Sequence, residues 1–244
     1  NPKNKIKRSI GDQIIQVLIY VFVGAFAVST VLPFLYVVAG SFATERELTE
    51  RAFFVIPHEF SLNAYRYIIN DGAIFRGLKN SLFVTIVGTL VNMAFTTTFA
   101  YPLSRRYLKG RNFFMNMVIV TMIFSGGMIP GYLLISGLGM LDSYAALILP
   151  GAISVFNMVI VKNFFQEIPT ELEEAAKIDG CSFFRIFFNI MMPLCKPIAT
   201  TVVIMETIWT WNAFMLPLVL TLNNPASRTL AVGLYAFKGE NTVD

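Results

Sequence analysis

The sequence has little charge and few of the side chains that usually carry out catalysis. Only 14% of its 244 residues are charged, whereas a soluble domain of this length carries about 25%. Its single histidine, His58, lies in a polar segment that favours a surface role over a catalytic one. Its two cysteines, Cys181 and Cys195, form no Cys/His cluster of the metal-binding kind. We therefore predict no catalytic residue and no metal site.

Long apolar runs are what the sequence has in abundance. It is 55% hydrophobic, and its mean hydropathy is +0.63. Each run is near or above the roughly 20 residues that a helix needs to cross a bilayer, and only the last contains an acid, Glu206. The five runs are Gln13–Thr44, Asn80–Ser104, Asn112–Leu141, Ser143–Val161 and Pro197–Leu222. They predict an all-α integral membrane protein with five visible spans.

The basic residues predict the orientation of these spans. Of the 19 lysines and arginines, 12 lie in the N-terminal tail, the loop after the second run and the loop after the fourth run. Cytoplasmic loops carry such an excess, so the N-terminus is predicted to be cytoplasmic, and the net charge of +4 requires no nucleic acid partner. The predicted ranges are 1–12 for a cytoplasmic tail, 13–222 for a transmembrane domain with external loop 45–79 and cytoplasmic loop 163–196, and 223–244 for an external loop.

Several sequence signals predict details within these ranges. In the external loop, residues 61–70 suit a short helix that ends at Asp71-Gly72. Span three contains two candidate breaks, residues 125–127 and Pro130-Gly131, and span four contains Pro150-Gly151. Such residues either permit close helix packing or mark a substrate cavity, and the sequence leaves both readings open.

The segment Thr170–Pro193 is a charged island in an otherwise apolar chain. Thr170 and Glu173 have the spacing of a capping box, which predicts a helix start with reciprocal side-chain bonds. Lys177 is expected to pair with Glu173 at i+4, and Gly180 to end the helix in left-handed geometry. A phenylalanine-rich second helix is expected to be capped by Ser182 and ended by Pro193. These residues alone fit an interfacial helix pair as well as a partner-docking element.

The spacing of the island resembles that of a known motif. Glu174-Ala175-Ala176, three residues, Gly180, nine residues and Ile190-Met191-Met192-Pro193 are similar to the EAA loop of ABC importer permeases, with Met192 where that family has leucine. "WNAFMLPL" and "PGYLLISGLGMLDSYAALILP" resemble the carbohydrate-uptake branch related to maltose-transporter permeases. "FSGGMIPGYLL" is most similar to the subgroup associated with complex oligosaccharides, including uronate-containing ones such as alginate or pectin fragments.

The resemblance implies a permease subunit of an ATP-driven, binding-protein-dependent importer of oligosaccharides. The fold would be the type I importer bundle, which has six core spans, so a sixth is expected after Asp244. The island would be the coupling helix that sits in a groove of a cytosolic ATPase. The residues implied to couple to that ATPase are Glu173, Glu174, Ala175, Ala176, Asp179 and Gly180.

The resemblance also implies partners and a location. They are a second homologous permease, two ATPase subunits, an extracellular solute-binding protein, the lipid bilayer and an oligosaccharide. The chain is expected to bind no cofactor and not to be an enzyme, because the sequence has no G-x-x-x-x-G-K-[ST] motif and ATP and Mg would be bound by the ATPase. The expected location is the bacterial cytoplasmic membrane, as a multi-pass protein.

Polar and aromatic residues near the fifth run are candidates for the substrate path: Glu206, Trp209, Trp211 and Asn212. An ionisable residue inside a span indicates a pathway by default, and aromatic faces and amides suit sugars. A structural role for Glu206, packing roles for the tryptophans and a sugar site on the partner permease stay open. Asn223, Asn224 and Tyr235 are implied contacts for the binding protein. The alternatives are an importer permease for another small polar solute and a membrane scaffold that docks a cytosolic partner. An intramembrane enzyme is a third class, but the spans lack the nucleophile and base that it would need.

Overall fold

A computed structural model of the chain describes residues 10–240, with side chains described for residues 11–237. Within that range the chain is almost entirely helical and forms two compact units, one up to Gly72 and one from Ala73. The all-α fold expected from the apolar runs is confirmed. The tail 1–9 and residues 241–244 lie outside the described residues, so the expectations that fall there stay untested.

The first unit is built around one long apolar helix, α1 (Ile10–Ser41). None of its most apolar window is buried within the chain, which suits a helix whose surroundings are lipid or other subunits. Helix α2 (Glu45–Glu50) follows, and its first turn is capped by Thr44 Oγ1, which accepts a hydrogen bond from the Glu47 amide. Helix α3 (Asn63–Asp71) ends at Gly72 with φ of 68°, so the short helix predicted over residues 61–70 is confirmed.

Glu47 holds the segment between α2 and α3 in place. Its carboxylate accepts hydrogen bonds from the His58 amide at 2.9 and 3.1 Å and from the Glu59 amide at 3.3 Å, and it pairs with Arg51. The backbone hydrogen bond from His58 is the main reason that the pKa of Glu47 lies below its ordinary value. The side chain of His58 is exposed, as its polar surroundings predict.

The second unit packs around α4 (Ala73–Ser104), which contacts α8, α12 and α14. The helix begins seven residues before the apolar run Asn80–Ser104, inside the range assigned to the external loop. The apolar run begins only after the last charged residue, Lys79. The helix begins earlier because Arg76 and Lys79 are good helix formers and do not interrupt it. Small and polar side chains line its buried side: Ser81, Thr85, Gly88, Thr89, Asn92 and Thr96. Such side chains let neighbouring helices approach closely inside a membrane.

The third apolar run is sharply bent. Helices α5 (Arg111–Ile123) and α6 (Met128–Gly137) meet at 115°. Gly127, with φ of 85°, lies at the break, so the predicted break at residues 125–127 is confirmed. The second predicted break is wrong, because Pro130-Gly131 lies in the first turn of α6. A proline there interrupts no helical hydrogen bond, since the first amides of a helix have no partner within it.

The last two runs are also bent. Helix α7 (Tyr144–Ile148) continues as a 3₁₀ turn through Pro150 and meets α8 (Val155–Glu167) at 44°. Helix α9 (Glu171–Ile178) precedes a segment composed of α10 (Phe183–Ile186), a π-helix (Phe187–Met191) and α11 (Met192–Leu194), which meets α12 (Lys196–Trp211) at 77°. Helices α13 (Met215–Leu220) and α14 (Leu230–Glu240) complete the described chain. Within residues 10–240, two helices are long and apolar enough to span a membrane, or up to five if each bent pair is one span.

Candidate functional site

Helix α9 begins where the capping signal places it, but the cap itself differs. Thr170 has helical dihedral angles, φ −69° and ψ −22°, and its side chain makes no capping bond. Its carbonyl oxygen, not its hydroxyl, accepts from the Glu173 amide at 3.0 Å. The predicted capping box is therefore wrong. The acids of the first turn still favour the positive end of the helix dipole.

The carboxylate of Glu173 points into the protein and forms a buried ion pair. Both Glu173 and Arg105 are only 2% exposed, and Arg105 Nη2 contacts Glu173 Oε1. Tyr101 donates its hydroxyl proton to the same carboxylate oxygen at 3.0 Å. The predicted pairing with Lys177 is wrong, since the Lys177 ammonium lies 4.8 Å from the centre of the Tyr107 ring. Glu173 pairs instead with Arg105, which lies 68 residues earlier in the sequence.

The opposite side of α9 faces away from the rest of the chain. Of the six residues implied to couple to an ATPase, Glu174, Ala175, Asp179 and Gly180 are exposed, whereas Glu173 and Ala176 are buried. Ile178, which the sequence reasoning missed, is 87% exposed beside them. An apolar side chain on an otherwise charged surface helix is the signal that would have found it. The outward face, defined here as Glu174, Ala175 and Ile178, is suited to a partner's groove.

The C-terminal side of α9 is a tight bend followed by the phenylalanine-rich segment. Gly180 has φ of +75°, as the sequence predicts for a left-handed stop. Helix α10 begins after Ser182, although the Ser182 side chain makes no capping bond. Pro193 lies inside α11, one residue before its end, so the predicted stop is off by one residue. Phe183 and Phe187 pack against Tyr101 with ring centres 5.3 and 5.1 Å apart.

A cavity of about 580 Å³ lies between α8, α12 and α13. Glu206 lines it and is 7% exposed, and Asn157 Nδ2 donates a hydrogen bond to Glu206 Oε2 at 3.0 Å. Ser154, Trp209 and Thr210 also line it, and the Trp209 side chain is 78% exposed. Asn157 had no signal in the sequence, because its partner lies 49 residues away.

Two of the four predicted path residues lie outside this cavity. Trp211 is the last residue of α12 and Asn212 follows it, and neither of them lines the cavity. Asn212 Nδ2 donates to the Ile208 carbonyl oxygen at 2.7 Å, so the amide caps its own helix. The structure brings together Glu206 and Trp209, and the roles of all four residues stay predictions.

The segment that contains the implied binding-protein contacts is firmly attached to the helices. The Asn223 amide and the Asn224 side chain both donate to Asp142, at 3.1 and 3.0 Å. Asn80 Nδ2 on α4 donates to the carbonyl oxygens of Ala226 and Arg228 at 2.6 and 2.8 Å. Tyr235 packs edge-on against Phe214, 5.4 Å between ring centres. These contacts fix the backbone of the segment.

Bent apolar helices, an exposed helix anchored by a buried ion pair and a cavity among the helix breaks are features of a polytopic membrane protein. The chain belongs to the family described as binding-protein-dependent transport system inner membrane component, whose profile matches residues 105–240.

Relatives with known names extend the similarity beyond that range. Protein LplC of Bacillus subtilis is 52% identical over 193 residues, which cover 79% of this chain and 65% of LplC. The polygalacturonan/rhamnogalacturonan transport system permease protein YtcP of Bacillus subtilis is 48% identical over 221 residues, 91% of this chain and 77% of YtcP. A crystal structure of a bacterial ABC transporter involved in the import of the acidic polysaccharide alginate matches with a TM-score of 0.85 at 28% identity. That match covers 98% of this chain and 85% of the other.

Proposed function

We propose that this chain is the permease subunit of an ATP-driven importer that moves oligosaccharides across the bacterial cytoplasmic membrane. The observation that carries the proposal is the match of 98% of the chain to the alginate transporter with a TM-score of 0.85. The name of YtcP supports fragments of polygalacturonan or rhamnogalacturonan as the substrate class. The N-terminus would lie in the cytoplasm, and the chain would bind no cofactor and catalyse no reaction.

The outward face of α9 is the proposed docking site of the ATPase. Ile178 would enter an apolar groove, Ala175 would allow close approach, and the Glu174 carboxylate would meet a basic side chain or a backbone amide. ATP and Mg would be bound by two such ATPase subunits. A second homologous permease and an extracellular solute-binding protein would complete the assembly, with the segment around Asn223 facing the binding protein.

The cavity beside Glu206 is the proposed share of this chain in the sugar path. Its walls offer the Trp209 ring for stacking on CH groups and the Ser154 and Thr210 hydroxyls for hydrogen bonds to sugar hydroxyls. Among the residues that line it in the described part of the chain there is no lysine or arginine. The carboxylate of a uronate would therefore need a cation from the second permease. This lining also favours a second candidate substrate, a neutral oligosaccharide.

Reconstitution of the complete assembly in proteoliposomes tests the proposal. We expect ATP-dependent accumulation of trigalacturonate in the presence of the binding protein, whereas accumulation of maltotriose instead would favour the neutral candidate. Trp209→Ala is expected to reduce uptake several-fold through lost stacking, roughly 1 kcal/mol, and Trp211→Ala to reduce it less. If ATP drives the uptake of neither sugar nor of any other oligosaccharide, the proposed function is wrong.

A further inference from the structure

Three helices of the second unit meet at the buried ion pair of Arg105 and Glu173. Arg105 follows the last residue of α4, and Glu173 lies in the first turn of α9. The second terminal nitrogen of the arginine, Nη1, donates to the Phe165 carbonyl oxygen near the end of α8 at 3.1 Å. One guanidinium group therefore ties α9 to the cytoplasmic ends of two spans.

The surroundings of the pair make it a rigid connection. Arg105 Nη2 also lies 3.7 Å from Met191 Sδ, and its guanidinium carbon lies 5.3 Å from the centre of the Tyr101 ring. Phe165, Phe187 and Met191 are buried in the same cluster. Charges attract strongly in such a low-dielectric site. Because leaving either charge unpaired there is very unfavourable, the pair restricts the geometry of the three helices.

The two ends of α9 are held by different contacts. Its N-terminal turn is held by the ion pair and by Tyr101. Its C-terminal end runs into Gly180, whose φ of +75° and open surroundings mark a bend, and then into the segment that contains the π-helix. The first turn is therefore where buried side-chain bonds join α9 to α4 and α8.

We propose that Glu173 is a positioning residue that acts through Arg105 and Tyr101, and not a contact for the ATPase. The ion pair makes α9 move as one body with the cytoplasmic ends of α4 and α8, so that displacement of α9 tilts both spans. The inference rests on the proposed function, because it takes α9 to be the element that the ATPase displaces.

Distances between spin labels on α9 and α4 test the proposal in the complete assembly in lipid nanodiscs. Leu172 on α9 and Leu90 on α4 are 44% and 65% exposed, so cysteines at these positions accept labels. Cys195 is buried, so only Cys181 needs to be replaced. In the wild-type background we expect the same narrow distance distribution without nucleotide and with ATP and vanadate. In Glu173→Gln we expect the distribution to become at least twice as wide, and its mean to shift when ATP and vanadate are added.

A matched control and a second variant keep the outcome unambiguous. Glu167→Gln makes the same chemical change at an exposed position near the end of α8 and is expected to leave the distribution unchanged. Should Glu173→Gln fail to accumulate, Arg105→Lys replaces it, because lysine keeps the charge but loses the fork that reaches both Glu173 and Phe165. A wild-type distribution in the variant, or independent motion of α9 in the wild type, overturns the proposal. Failure of the wild-type chain to retain an ATPase contradicts the proposed function instead, and broadening in the nucleotide-free variant would still support the ion pair.

Discussion

At the residue scale, neighbouring positions of α9 have opposite environments. Glu173 is 2% exposed, and Glu174 is exposed. A helix turns by about 100° per residue, so adjacent side chains need not share a face. The roles of the two acids are therefore separable by experiment, although the resemblance implies that both couple to the ATPase.

Ile178→Glu is expected to weaken the binding of the ATPase at least tenfold. The side chain is 87% exposed in the isolated chain and would be desolvated in the docked assembly, where a carboxylate loses its hydration. The amount of ATPase retained on the tagged permease measures the effect. Ile178→Val, which stays apolar, is the control and should retain the ATPase. If the wild type and Ile178→Glu retain the same amount of ATPase, Ile178 is not part of the docking face.

The hydrogen bonds of Glu47 are expected to depend on pH. Because the pKa of the folded carboxyl lies below its ordinary value of 4.5, the stabilisation is complete above that ordinary value and is lost as the pH falls through the lowered pKa. Hydrogen exchange of the His58 and Glu59 amides, corrected for the intrinsic effect of pH, measures it. The control Glu47→Gln should show weaker protection with little dependence on pH. Protection that stays constant far below pH 4 would contradict this assignment.

At the element scale, the bend after α9 depends on backbone conformation and not on space. A Cβ atom added to Gly180 would meet nothing within 4 Å, but its φ is +75°. Left-handed geometry costs a β-branched residue roughly 1–2 kcal/mol, whereas asparagine tolerates it. The strain would be relieved by turning α9 relative to the segment that follows.

Gly180→Val is accordingly expected to reduce sugar uptake per ATP hydrolysed, with the spans still inserted. Gly180→Asn, which adds a side chain into the same open space, should retain most of the uptake. Parallel measurements of uptake and ATP hydrolysis in proteoliposomes make the comparison. If the two variants behave alike, backbone conformation is not what matters at this bend.

Sequence patterns predicted individual elements well and long-range partners poorly. The apolar runs, the break at Gly127 and the bend at Gly180 depend on local composition and glycine geometry, which a sequence displays directly. The partners of Glu173 and Glu206 depend on which helices pack together, and Arg105 and Asn157 lie 68 and 49 residues away from them. The i+4 spacing favoured Lys177 as the partner of Glu173, but helix packing places Arg105 and Tyr101 against its carboxylate. Asn157 could not be predicted as the partner of Glu206, because that contact also depends on helix packing.

At the scale of the whole molecule, the orientation in the membrane is open to a direct test. Glu167→Cys and Asn223→Cys place single accessible thiols on the predicted cytoplasmic and external faces, in a background that lacks Cys181. A maleimide that does not cross membranes should label Asn223→Cys in intact cells and Glu167→Cys only after the membrane is opened. Labelling of Glu167→Cys in intact cells would show that the predicted orientation is wrong.

Helix α4 is one continuous helix that extends from the segment around Ala226 to helix α9. Near its start Asn80 binds the segment around Ala226, and directly after its end Arg105 binds α9. Its 32 residues give it a length of about 48 Å, at roughly 1.5 Å per residue. A rotation of about 10° around the midpoint would carry the two tips about 4 Å in opposite directions. A tilt of α4 as a rigid body would therefore transmit a displacement at the α9 end to the end near Ala226 without a relay of side chains.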